Sequence, residues 1–340
     1  MSQYYYNPFG NSSDVNAAWE ARFQLEQRAK QEKREIRKIS LTMGGAIIAY
    51  LIVQVLAVKL LDVLGLTELY SSSPVFQYAF TIIGISVCAV AVPFGIMALI
   101  NRKKYISPVI PGKKIKPLYS LCWVAFGVLC CTAANILVSY IVVLTKLIFG
   151  YELTQGESAS PDSILACLMQ FVAFAIVPAI CEEFAMRCCS LQLLKKYGKG
   201  FAIFAVSIVF GLLHGNVIQF IFAFTIGLIL AYITIKTDNV LPAIFIHAIN
   251  NSLSVMQSVI KLYGTDDMAE NAIIVAYVVF AVCGVLSIIY LAFKKQFKRE
   301  KKQADTVLSN GEKFTAFLFP WMIIPFLMLI CITMTTIKKV

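Results

Sequence analysis

Long apolar runs recur along this chain, and they constrain its fold more than any other feature. They cover residues 41–61, 76–100, 117–149, 163 through the acidic pair Glu182–Glu183, 201–214, 217–235, 240–260, 272–293 and 314–337. Most of them reach the roughly 20 residues that a helix needs to cross the hydrocarbon. Backbone polar groups in lipid must pair within the segment, so runs of this length read as helices. A hydrophobic share of 59% lies well outside the range of water-soluble domains. The expected fold class is all-α, a polytopic transmembrane bundle of eight helices, nine if the last one crosses, with a polar cavity inside the membrane.

The charge distribution fits the same picture. The formal net charge of +11 could suit nucleic acid, but Lys and Arg gather in the N-terminal arm and in residues 101–116, 195–199 and 294–302, between apolar runs. That placement is what cytoplasmic loops show, and it argues against nucleic acid as a partner. The intervening loops at 62–75, 150–162 and after Lys261 are acidic or lack basic residues. The alternation predicts a multi-pass protein of the cell membrane with its N-terminus in the cytoplasm. Lys338 and Lys339 break it and leave the last helix as the weakest assignment, while Lys59 and Lys146 fit side chains that snorkel.

Four regions follow from these shifts. Residues 1–40 form a polar, charged arm without a cleavable leader, disordered over 1–13 and helical over 14–38. Residues 41–162 hold membrane helices without a chemical motif, 163–260 hold a core set apart by its ionisable residues, and 261–340 hold the C-terminal helices. The ten cysteines lie almost all in apolar runs without metal-type pairing, as small hydrophobes do.

Against that background, ionisable residues inside apolar runs are costly and mark function. Glu182, Glu183 and Arg187 share one run, and His214 and His247 are the only histidines in the chain. With one helix over 163–194, Glu182 lies roughly 20 Å from the basic end at 1.5 Å per residue. By the same measure His214 lies roughly 21 Å deep, Asn251 roughly 18 Å, and His247 one turn shallower. Glu183 with Arg187, Phe210 with His214, and His247 with Asn251 are i,i+4 pairs, each sharing a helix face. Glu182 and Glu183 diverge by about 100°, so Glu183 should pair with Arg187 while Glu182 faces the cavity.

A carboxylate in such a cavity can serve as general base toward water, with a histidine to orient the water and move a proton. A second histidine and an amide one turn apart can hold an oxyanion. These are the parts of a hydrolase for an acyl or peptide bond. Glu182, His214 and His247 would equally serve as a ligand set for a divalent metal such as Zn²⁺, so the residues alone fit hydrolysis with no cofactor or with zinc. Gln54, Gln170 and Gln219 read as helix-contact hydrogen bonders, Asn250 as a neighbour of the functional Asn251, and Asn216 as the residue closing a turn.

Taken together, EExxxR at Glu182–Arg187, FxxxH at Phe210–His214 and HxxxN at His247–Asn251 resemble the three motifs of the CPBP family. That family comprises type II CAAX prenyl endopeptidases and bacteriocin-processing intramembrane proteases, with lysostaphin-resistance-like members. The resemblance spans about residues 163–259 and implies an intramembrane endopeptidase whose site opens toward the cytoplasm. It implies that Glu182 and His214 activate water, that His247 and Asn251 hold the oxyanion, and that Glu183, Arg187 and Phe210 support the site. The implied partners are membrane lipid and a peptide or protein substrate. Two other classes compete: a peptide-binding immunity or scaffold protein using the same cavity, and a transporter, which would call for inverted repeats that the sequence does not show.

Overall fold

The computed structural model describes residues 12–102, 112–154, 159–298 and 306–339. Helices make up nearly all of it. The first, α1 (Ser12–Val63), runs unbroken from the charged arm into the first apolar run. There follow a short helix at Thr67–Ser72 and then α2 (Pro74–Ile100), α3 (Pro117–Phe149), α4 (Ile164–Tyr197), α5 (Lys199–Leu212), α6 (Val217–Thr237), α7 (Leu241–Tyr263) and α8 (Asp266–Phe293). The last two are α9 (Asn310–Leu318) and α10 (Ile323–Met334). Strands β1 (Tyr151–Leu153) and β2 (Ile337–Lys339) form an antiparallel pair.

Among the described residues, seven helices are long and apolar enough to cross a membrane, and α9 with α10 would make eight if the bent pair is one span. Against the expected eight to nine, two runs depart from a straight, full-length span. The run 201–214 forms a helix of only 14 residues, about 21 Å long, whose closing turn nevertheless reaches the end of the bundle that holds β2, where Val217 N–H donates to Thr336 Oγ1. The last run breaks by 80° between α9 and α10. Pro320 explains the break, because the residue before a proline is steered out of the helical region, and Phe319 is extended there.

The helix starts were written locally. Ser73, Ser163, Asn216, Thr265 and Ser309 each accept a backbone N–H at the first turn of the helix they precede, and Ser309 forms a reciprocal capping box with Glu312. Gly150, at φ +66°, ends α3 in the left-handed conformation that favours glycine.

Two apolar clusters build the bundle. One joins α1, α2, α4, α5, α9 and α10 through Met43, Phe94, Leu191, Val206 and Phe317. The other joins α3, α6, α7 and α8 through Trp123, Leu230, Ile246 and Leu291. The basic segments collect at one end of the molecule. Lys196 pairs with Glu35 at 2.9 Å and Lys33 with Glu312 at 2.7 Å, and the Lys236 ammonium donates to the Lys298 carbonyl. Strands β1 and β2 lie at the other end, where Lys146 pairs with Glu152 at 3.0 Å. Parts of the basic segments 101–116 and 294–302 and of the acidic loop 150–162 lie outside the described residues, as does the expected disorder over residues 1–11; Ser12 and Ser13 begin α1.

Candidate active site

Helix α4 carries both acids, and it is not a uniform α-helix. Wide, π-type turns occupy Val172–Ile176 and Phe184–Ser190, on either side of the acidic pair. Such turns are concentrated at functional sites, because they re-aim the side chains that flank them. Glu183 is fully buried and its Oε2 lies 3.1 Å from Arg187 Nε. Glu182, one position earlier, keeps 24% of its side chain exposed and lines the cavity. The divergence expected of adjacent helix positions is thus realised.

The other carboxylate oxygen of Glu183 accepts a hydrogen bond from His247 Nδ1 at 3.0 Å. This contact joins α7 to α4 and was not anticipated from the sequence, which paired Glu183 with Arg187 alone. It leaves His247 Nε2 facing Glu182 Oε2 at 3.8 Å. His247 therefore lies between two carboxylates, and the carboxylate it approaches through Nε2 makes no hydrogen bond of its own to the protein at Oε2.

Helix α5 brings in His214. Its Nδ1 lies 2.8 Å from the Phe210 carbonyl. A carbonyl can only accept, so Nδ1 carries the proton and Nε2 presents a lone pair. Phe210 sits among the charged groups as their apolar support. Its ring meets His214 edge-on at 5.0 Å, rather than flat beneath it, and meets His247 edge-on at 5.9 Å. The Arg187 guanidinium lies over its face at 4.7 Å, a cation–π contact. One phenyl ring thus touches three of the site's polar groups.

Asn251 uses one amide hydrogen to reach the Phe174 carbonyl in the first wide turn, at 3.0 Å. Its Oδ1 accepts from Asn250 Nδ2 at 3.2 Å, and Asn250 Oδ1 accepts from Asn135 Nδ2 on α3 at 3.0 Å. One Asn251 N–H is left over. Glu182, His214, His247 and Asn251 all line one cavity of about 910 Å³. Asn216 closes the α5–α6 turn, accepting from Gln219 N at 2.8 Å.

Two contributors were missed from the sequence. Tyr50 of α1 donates its hydroxyl to the Leu213 carbonyl at 2.7 Å, fixing the end of α5 beside His214. A lone tyrosine in an apolar run gives no signal for this. Asn135 did give one, as an amide inside a membrane helix, but its partner on α7 is set only by tertiary packing. Among the described residues no group of three His, Cys, Asp or Glu side chains is disposed to hold a metal ion. Both imidazole Nδ1 atoms are engaged, His247 with Glu183 and His214 with the Phe210 carbonyl, which leaves the two Nε2 atoms and the Glu182 carboxylate as the atoms that would face a divalent metal.

Acids, imidazoles and an amide thus converge on one internal cavity of a multi-pass helical membrane protein. Comparison with known families makes this specific. Residues 164–253 match the family model described as Type II CAAX prenyl endopeptidase Rce1-like, and the match contains every site residue from Glu182 to Asn251. Over about a quarter of its length the chain is thus similar to the Rce1-like family, and by that match it is a membrane endopeptidase, a hydrolase acting on peptide bonds. No curated protein and no solved structure gives a match.

Proposed function

We propose that the chain is an intramembrane endopeptidase that hydrolyses a peptide bond of a membrane-associated protein or peptide at the Glu182–His214–His247–Asn251 cavity. The observation that carries this reading is the meeting of these four side chains in one cavity, with His247 between the two carboxylates. Glu182 takes a proton from a water molecule, and the oxygen attacks the carbonyl carbon. His214 orients that water through its Nε2 lone pair, takes up the proton held by Glu182 and hands it to the leaving nitrogen as the C–N bond breaks.

The oxyanion is held by the unused Asn251 N–H and by His247 Nε2. Donation from that nitrogen requires the imidazolium, since Nδ1 already donates to Glu183. The charge count supports the imidazolium: two carboxylates against one guanidinium leave a negative charge that protonated His247 balances. Phe210 and Arg187 keep these groups in register. The N-terminal arm faces the cytoplasm, since the basic segments share one end of the bundle.

The test is peptide release by the purified full-length protein in liposomes. Glu182→Gln and His214→Ala are each expected to lower turnover by roughly 10²–10⁴-fold. Turnover is expected to persist in chelator. Unaltered turnover in Glu182→Gln removes the proposed base, and activity lost to chelator and restored by zinc replaces this mechanism with a metal-assisted one.

A further inference from the structure

One wall of the cavity is nearly open to the lipid. Helices α3 and α8 touch closely at Leu129 and Gly284. About two turns along each helix, a groove of about 270 Å³ lies between them, lined by Ile136, Ser139, Tyr140, Val143 and Tyr277. Ile136, Tyr140 and Val143 are exposed on a helix long and apolar enough to cross the membrane, so this mouth of the groove meets hydrocarbon. Ser139 and Tyr277 line both the groove and the site cavity. The half-buried Tyr277 ring is therefore the main partition between lipid and site.

The chemistry of the partition decides what can cross it. The groove carries no charged side chain among the described residues, and behind Tyr277 the cavity wall continues as Val138, Ile273, Phe222 and Ile226. A peptide crossing between α3 and α8 would leave its N–H and C=O groups unpaired in hydrocarbon. A hydrocarbon chain has no such groups and stays in apolar surroundings from the cavity wall to the bilayer. A free bilayer lipid can fill the groove from outside but has no anchor within the cavity, whereas a chain attached to a peptide at the site has one.

Tyr277 is also linked to the site. Its hydroxyl is hydrogen-bonded to the Asn135 side chain. Asn135 Nδ2 donates to Asn250 Oδ1 at 3.0 Å, and Asn250 Nδ2 donates to Asn251 Oδ1 at 3.2 Å. A ring displaced from the partition gives up the first bond of this series, and Asn251 stands at its far end.

We propose that Tyr277 gates a lateral portal between α3 and α8, through which the hydrocarbon chain of a lipid-anchored substrate runs out to the bilayer while its peptide lies in the cavity. The chain displaces Tyr277 from Asn135, and the amide series carries that displacement to Asn251. This rests on the hydrolase reading and adds the route of the chain and the residue that responds to it. The portal admits the chain alone, so the peptide still reaches the cavity through the cytoplasmic opening that the family resemblance implies.

The test uses the full-length protein in liposomes. Fluorogenic peptides of mixed sequence are made with and without one farnesyl chain, and a third form carries a photoreactive diazirine at the end of that chain. In Glu182→Gln protein the diazirine is expected to cross-link to Tyr140, Val143 or Tyr277, and excess farnesylated peptide to suppress this. Cross-links confined to other residues overturn the proposal. So does equal labelling by a diazirine-bearing phospholipid that the peptide does not displace, which assigns the groove to bilayer lipid. In hydrolysis, Val143→Trp fills the groove from its lipid side. It is expected to raise KM for the farnesylated peptide roughly tenfold more than for the chain-free one, the effect of about two methylenes left in water. Wild type is expected to turn over the farnesylated peptide with the higher kcat. Tyr277→Phe, which keeps the ring and removes the hydroxyl, is expected to abolish that kcat difference and leave the difference in KM. Equal KM changes in Val143→Trp, equal kcat values in wild type, or a kcat difference that survives Tyr277→Phe overturn the proposal. If wild type hydrolyses neither peptide the hydrolase reading falls, and the cross-linking result decides the portal by itself.

Discussion

Arg187 is 1% exposed at membrane depth, a position where an unmatched charge would be expelled. Glu183, the Phe210 face and the Gly227 carbonyl, 3.4 Å from its NH2 group, hold it there. Arg187→Met leaves buried Glu183 with His247 as its one charged partner and is expected to destabilise the protein by about 3–5 kcal/mol, measured by thermal unfolding in detergent. Adding Glu183→Gln should recover part of that loss; no recovery would show that Arg187 acts through packing alone. Tyr50→Phe removes the donor to Leu213 and is expected to cost about 1 kcal/mol, with kcat lowered more than KM is raised. The motif residues were legible because their charge or their i,i+4 spacing stands out against apolar sequence. Tyr50 and the bond from His247 to Glu183 were not, because each depends on which helices become neighbours.

Among the helices, the close contact of α3 and α8 depends on Gly284. A Cβ there would lie 2.4 Å from Leu129 Cβ, an atom anchored to the α3 backbone that cannot swing aside. Gly284→Ala is therefore expected to destabilise by about 1–3 kcal/mol, read from the same unfolding assay, and a neutral result would mean that α8 can shift outward without cost. Most helix boundaries could be read from apolar length and from the capping residues before them. The exceptions have specific causes. The run 201–214 is apolar enough for a span but is cut short by Gly215 at φ +66° and by the Asn216 cap. Within 314–337, the bend at Pro320 was masked by the hydropathy of its neighbours.

For the molecule as a whole, the last helices settle an ambiguity that charge counting left open. Ser309 and Glu312 lie beside Lys33 at the basic end, while β2 pairs with β1 at the opposite end, so the broken pair leads from one face to the other despite Lys338 and Lys339. Epitopes placed at the N- and C-termini are accordingly expected on opposite sides of the membrane, scored by antibody access in intact and permeabilised cells. Access to both from the same side would refute this arrangement. The bundle's membrane character was legible from sequence, but the extent of its internal cavity was not, because that emerges only when α3 to α8 are assembled around it.

The wide turns that flank the acidic pair bear on how such a chain tolerates change in length. Shortening Phe184–Ser190 by one residue could tighten the turn into ordinary α-helix instead of unravelling it. The acids and the buried face toward Lys195 would keep their register, while Arg187, inside the shortened turn, would be moved off its place between Glu183 and the Phe210 ring. An indel of that kind would spare the fold and silence the chemistry, a signature worth seeking wherever this helix is edited.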